Sequence, residues 1–296
     1  MRVAVVALGG NAILKSNEKG TFQQQLRNIN KTVKQLGILL RKYRIVITHG
    51  NGPQVGNLLL QQEKSKQKIP PMPLDVCDAM TQGQIGYFLQ MSLSNQLKKP
   101  VTTVVTQILV DKKDSAFKKP TKPIGPYYSK KILKNMIKEE EGWRKVVPSP
   151  KPKKIIEIEG IKNLVKKDVI VIACGGGGIP VVIKKRELTG IEAVIDKDYA
   201  SQKLATELKA ENLILLTDID YVYLNYGEKN QKPLKKITAK EATKYLKKGH
   251  FKEGSMKPKI EASVEFLKKG GKKVIITELL SLEKALKNKA GTIITL

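Results

Sequence analysis

The chain has 296 residues, 41% of them hydrophobic and 28% charged, which is enough apolar material for a sizeable core and excludes disorder as the default. Fifty-five lysines and arginines against 27 acidic residues leave a formal charge of +28, so polyanion binding enters as one class of function. No apolar run approaches the roughly 20 residues that cross a bilayer, and two cysteines, Cys77 and Cys174, make no disulfide framework, so the expectation is a reduced, cytoplasmic setting with no membrane.

In chain order, residues 2–8 form an apolar run that stops at Gly9-Gly10, too short for a signal peptide and well suited to a buried strand. Residues 21–43 place Leu26, Ile29, Val33, Leu36 and Leu40 at spacings of three and four, which predicts a helix with one apolar face. Further β-branched runs follow at 44–48, 101–110, 168–173, 213–217 and 273–277, separated by segments of helical period or length. Pro53 is placed as a first helical residue, and Gly254-Ser255 as the cap of a helix over 256–268. This alternation predicts an α/β fold with a parallel sheet covered on both faces. Residues 112–144, dense in lysine and proline, read as an excursion from the sheet. Pro148-Ser149-Pro150-Lys151-Pro152 is a stiff connection, and it sets the expected boundary between an N-terminal lobe, 1–150, and a C-terminal lobe, 151–296.

Three glycine-rich turns end predicted strands: Gly9-Gly10-Asn11, Gly50-Asn51-Gly52 and the tetraglycine 175–178, containing Gly175, Gly176 and Gly177. Glycine there lets backbone N–H groups approach phosphate oxygens, so the three together predict one extended anion site. A Walker-type loop and a dinucleotide fingerprint are both missing. The two histidines, His49 and His250, stand in no zinc spacing and beside no nucleophile turn. Lysine far outnumbers arginine, aromatics are 5%, and the lysines are scattered along helical segments. That pattern favours a solvated basic surface over a specific nucleic-acid site.

The segments ALGGNA (7–12), THGNGPQVG (48–56), DVCDAMTQGQIGY (75–87), PTKPIGP (120–126), WRKVVPSPKP (143–152), CGGGGIPVV (174–182), VIDKDYAS (194–201) and GSMKPKIEA (254–262) resemble the ordered motifs of carbamate kinases, a branch of the amino-acid kinase superfamily. The resemblance runs from end to end. It implies a three-layer αβα sandwich around a mainly parallel eight-stranded sheet with a small protruding lid subdomain at about 112–144. It also implies a homodimer, Mg²⁺ with ATP or ADP, and the reaction carbamate + ATP ⇌ carbamoyl phosphate + ADP, which closes arginine breakdown in fermenting cells.

On these residues the resemblance assigns Gly9, Gly10, Asn11, Gly50, Asn51 and Gly52 to the carbamoyl and transferring phosphoryl groups. Lys197 and Lys259 fall against the transferring phosphoryl and the nucleotide phosphates. Asp198 orients those lysines and the Mg²⁺ contacts, and Lys122 reaches over the acyl anion as a mobile cation. Gly175, Gly176 and Gly177, with Asp218, Tyr223 and Met256, fall to the nucleotide, the last three near the adenine. A general base is not required, because carbamate is already an anion. Relative to the family, residues 127–142 are short and lack a Gly-Arg-Gly ending, so one edge of the lid is expected to be missing. The competing expectations are a superfamily relative acting on another carboxylate or UMP, and a silent nucleotide or nucleic-acid binder. Val6-Ala7-Leu8, without a lysine before the turn, disfavours the first, and the intact Lys122, Lys197, Lys259 and Asp198 disfavour the second.

Overall fold

The computed structural model describes residues 2–15, 17–131, 135–139 and 142–296. β1 (Arg2–Leu8) ends in a tight turn at Gly10–Ala12. α1 (Phe22–Leu36) starts at a capping box, in which Thr21 Oγ1 accepts the Gln24 N–H at 3.3 Å and Gln24 Oε1 accepts the Thr21 N–H at 3.1 Å. The helix expected over 21–43 tightens into a 3₁₀ segment at Gly37–Arg41, since glycine at position 37 weakens the α conformation there. β2 (Tyr43–His49), α2 (Gly52–Ser65), with Pro53 in its first turn, and α3 (Leu74–Leu97) follow.

The run 101–110, expected as one strand, is two: β3 (Val101–Thr103) and β4 (Gln107–Val110), which lie in different sheets. The chain leaves one sheet at Thr106, whose N–H is taken by Gln82 Oε1 at 2.8 Å and whose hydroxyl donates to the Val104 carbonyl at 2.7 Å. The excursion carries β5 (Lys122–Tyr128), β6 (Met136–Glu139) and β7 (Gly142–Val147), paired antiparallel in the order β5-β7-β6. Glu140 and Glu141, on which the expected shortening partly rests, lie outside the described residues. Beyond it come β8 (Pro152–Ile155), α4 (Ile158–Lys166), β9 (Ile170–Ile172), β10 (Ile179–Lys184) and β11 (Glu187–Gly190). α5 (Lys197–Glu207), β12 (Asn212–Thr217), β13 (Val222–Leu224), β14 (Lys232–Leu234) and β15 (Lys236–Thr238) precede α6 (Ala239–Lys247). The chain then forms α7 (Met256–Lys268), β16 (Lys273–Glu278), α8 (Leu282–Leu286) and β17 (Thr292–Thr295).

Eight strands make the main sheet, in the order β15-β17-β16-β12-β1-β2-β9-β3, parallel except between β16 and β17. Alternation along β1 feeds two cores. Val5 and Ala7 pack with Ile161, Leu204, Ile260 and Val264 from α4, α5 and α7. Ala4, Val6 and Leu8 pack on the opposite face with Ile29, Val33, Leu89 and Leu282 from α1, α3 and α8. The result is the three-layer αβα sandwich with a mainly parallel eight-stranded sheet. β9 inserts between β2 and β3, so the sheet is continuous across residue 150. This arrangement puts the turns after β1 and β2 beside each other, facing the N-termini of α5 and α7.

Candidate active site

Asp196 caps α5: its backbone is extended, and Oδ1 accepts the Asp198 N–H at 2.9 Å. The cap places Lys197 and Asp198 in the first helical turn. Lys197 Nζ donates to Asp198 Oδ1 at 2.6 Å, and Lys259 Nζ, from the start of α7, donates to Asp198 Oδ2 at 2.9 Å. The expected serine cap of α7 does not form. Ser255 has left the extended cap conformation (φ −127°, ψ −81°), and its carbonyl accepts from Lys259 Nζ at 3.3 Å instead. Lys122, at the start of β5, reaches across to Asp196 Oδ2 at 2.8 Å. Three ammonium groups face two carboxylates, so the cluster is net positive before any ligand arrives.

Burial by itself would push the Asp198 carboxyl up, but the two lysine charges outweigh it and hold Asp198 well below the usual carboxylate range. Burial pulls Lys197 below the ordinary lysine range despite Asp198, with the neighbouring Lys259 charge adding to the pull. For Lys259 burial acts the same way, yet attraction from Asp198, Asp196 and Asp218 prevails and the net shift is upward. The two lysines thus shift oppositely on one shared carboxylate: Asp196 attracts both, and Asp218 adds its charge on Lys259.

An inner chamber of about 290 Å³ is lined by Gly10, Gly50, Asn51, Gly52, Gly176, Lys122, Lys197, Asp198 and Lys259. It adjoins an outer cleft of about 970 Å³, walled by Gly56, Gly125, Arg144, Ser149, Tyr199 and Glu253, and the two share Gly52, Pro53, Lys122, Pro123, Asp196 and Gly254. The structure therefore brings Lys122, Lys197, Lys259, Asp198, Gly10, Gly50, Asn51 and Gly52 together. Gly9 and Asn11 border a separate hollow with Asp218. Of the tetraglycine turn, Gly176 reaches the chamber wall, while Gly175 and Gly177 pack behind it, against the His49 ring and the Ile195 carbonyl. A Cβ on Gly177, at φ +102°, would stand 2.0 Å from the Ile195 carbonyl oxygen, and the Gly177 N–H is spent on the Cys174 carbonyl at 3.1 Å. Tyr223 donates its hydroxyl to Asp220 Oδ1 at 2.7 Å and stacks edge-on or tilted with Tyr221 and Tyr226. Met256 packs on the core beneath α7.

Sequence reasoning assigned no role to Asp196, Asp78, Thr81 or Gln82. The signal for Asp196 is present, an aspartate one residue before a predicted helix. Behind the chamber, Asn51 Nδ2 donates to Asp78 Oδ1 and to Thr81 Oγ1, the latter at 2.8 Å. Gln82 Nε2 donates to the Gly175 carbonyl at 3.0 Å. His49 is sealed, with Nδ1 3.0 Å from the Gly50 carbonyl oxygen, and burial pushes its pKa down to about 4. It is a neutral ring at physiological pH.

Asp78 is fully buried, and desolvation, opposed by the Asn51 hydrogen bond and reinforced by Asp75, raises its pKa to about 8. A folded-state pKa above the unfolded value of 3.8 means that this carboxyl's contribution is complete below about pH 4 and is lost as pH rises through about 8. Wild type should therefore lose stability relative to Asp78→Asn across that window, with a slope difference of up to about 1.4 kcal/mol per pH unit. Denaturant midpoints at pH 5, 7 and 9 measure it, and parallel curves for the two proteins would show that Asp78 does not titrate in the window.

A fold of this topology, with lysines bridged by a buried aspartate beyond the sheet's strand ends, defines a class of anion-handling α/β proteins. The amino acid kinase family matches residues 2–278, and the chain belongs to that family. Carbamate kinase of Thermococcus kodakarensis is 48% identical, over 99% of this chain and 98% of that protein. Carbamate kinase 1 of Enterococcus faecium is 50% identical over 94% of each. Among solved structures, carbamate kinase from Giardia lamblia bound to AMP-PNP superposes with a TM-score of 0.94 at 40% identity, covering 99% of this chain and 98% of that one.

Proposed function

We propose that the protein is a carbamate kinase, transferring a phosphoryl group reversibly between ATP and carbamate. The observation that carries this is a net-positive chamber at the strand ends that offers Lys122, Lys197 and Lys259, with its two carboxylates, Asp196 and Asp198, paired to those lysines and His49 sealed and neutral behind it. Carbamate needs no base. Its oxygen attacks the γ-phosphorus, the bond to the ADP oxygen breaks, and the charge stays on ADP; the reverse reaction runs the same bonds backwards. Lys197 and Lys259, held in place by Asp198, offset charge on the equatorial oxygens, while Lys122 faces the acyl anion. Gly10, Gly50 and Gly52 supply backbone at close approach, and Asp218, Tyr223 and Met256 border the nucleotide in the C-terminal lobe.

Among the described residues no cluster of three or more His, Cys, Asp or Glu side chains could hold a metal, and Asp198 spends both oxygens on lysines. That donor set fits an Mg²⁺ that would arrive on the nucleotide phosphates, with Asp196 and Asp198 as the nearest carboxylates, and the ion would supply neutralisation of phosphate charge.

The reaction belongs in the cytoplasm, in the direction of ATP synthesis at the end of arginine breakdown. Unpaired, buried Cys77 and Cys174 support a reducing compartment, and no helix among the described residues is long and apolar enough to cross a membrane. Val76, Met80 and Tyr87, exposed at helical spacing on α3, support a homodimer through that face. Light scattering of wild type should give twice the 32.9 kDa chain mass, and the double variant Met80→Lys/Tyr87→Lys a monomer; a variant that stays dimeric would move the interface elsewhere.

The deciding experiment is ATP formation from MgADP and fresh carbamoyl phosphate. Rates no faster than spontaneous carbamoyl phosphate decay, with turnover of UMP or another carboxylate, would reassign the substrate.

A further inference from the structure

We infer that Asn51 selects a carbamoyl over an acetyl substrate, its side-chain amide locked by Thr81 and Asp78 so that the carbonyl oxygen is left as an acceptor for the substrate's N–H₂ group. The inference rests on the function proposed above and deepens it.

The lock follows from proton counting. The Thr81 hydroxyl donates its single proton to the backbone carbonyl of Asp78 at 2.7 Å, so toward Asn51, 2.8 Å away, its oxygen can only accept. The Asn51 atom at that distance is therefore the amide nitrogen, whatever the protonation of Asp78. Its other hydrogen goes to Asp78 Oδ1. Both donors of Asn51 are consumed by α3, and the amide packs so closely on the Gly176 backbone that a Cβ there would lie 2.3 Å from Asn51 Nδ2.

Oδ1 remains. No described residue donates to it, and it is not among the sealed unpaired atoms of the fold, although Asp78 Oδ2 and His49 Nε2 are. Asn51 lines the inner chamber with Lys197 and Lys259. A bare acceptor beside an anion site is unfavourable unless the ligand brings a donor, and the only donor on carbamate or carbamoyl phosphate is its N–H₂. Acetyl phosphate has a methyl group there, which leaves the acceptor desolvated and unpaired.

Thr81→Val keeps the shape of the side chain and removes the acceptor that fixes the amide. Its kcat/KM for carbamoyl phosphate with MgADP should fall about tenfold, the scale of one lost hydrogen bond, while that for acetyl phosphate stays unchanged and Thr81→Ser behaves as wild type. If Thr81→Val does not fold, Thr81→Ala reads the same ratio. A ratio of the two substrates that stays at the wild-type value, or equal losses on both, overturns the lock. Wild-type protein that makes no ATP from carbamoyl phosphate removes the function reading and this inference with it; wild-type turnover with an unmoved ratio removes this inference alone.

Discussion

Replacing Lys197 or Lys259 by alanine lowers turnover of carbamoyl phosphate and MgADP by about 10² or more, the scale seen when a preorganised charged donor is removed from a reacting centre. Both ammonium groups are held on the two oxygens of one buried carboxylate, at 2.6 and 2.9 Å, so neither has to reorganise when charge develops on the transferring phosphoryl. Each substitution also leaves Asp198 with a single cation. The loss of one partner from a buried ion pair destabilises by about 3–5 kcal/mol when the charge is left uncompensated, and the remaining lysine reduces that penalty. Turnover and melting temperature are therefore measured on the same preparations. Lys268→Ala, at the exposed end of α7, should change neither. Equal losses in all three variants would mean that bulk positive charge, not placement on Asp198, carries the rate.

Lys122→Ala should cut turnover of carbamoyl phosphate by a similar factor of about 10² while leaving the ADP dissociation constant unchanged. Lys122 sits on the three-stranded excursion, and its ammonium pairs with Asp196 at 2.8 Å. Its side chain is 29% exposed, so the pair adds only about 0–1 kcal/mol to stability and the variant should fold normally. Its importance is positional: anionic substrate entering the chamber competes with Asp196 for the same ammonium. Equilibrium binding of MgADP and steady-state kinetics on the one variant decide the matter. Full turnover would remove Lys122 from the reaction, and weakened ADP binding with normal carbamoyl phosphate saturation would place it at the nucleotide.

The residues proposed for the chemistry could be picked out along the chain before any fold was known. The continuous apolar run in 2–8 marks a buried strand on local grounds, and β1 runs over Arg2–Leu8. Lysines beside prolines or between aspartates stood out from a lysine-rich background for the same local reason, and Lys122, Lys197 and Lys259 do meet in one chamber. What local pattern could not show is who holds them. Asp196 accepts Lys122 across 74 positions, Asp198 accepts Lys259 across 61, and Asn51 donates to Asp78 across 27. Nor could it show that the tetraglycine turn lies against Asn51, or that β9 slips between β2 and β3. Periodicity and turn chemistry depend on neighbours within a few residues, so the sequence alone determined most of the elements and marked out the candidate side chains. Partnership depends on which strand ends the sheet order brings side by side and which polar atoms burial then forces to pair, and only the tertiary structure decided that.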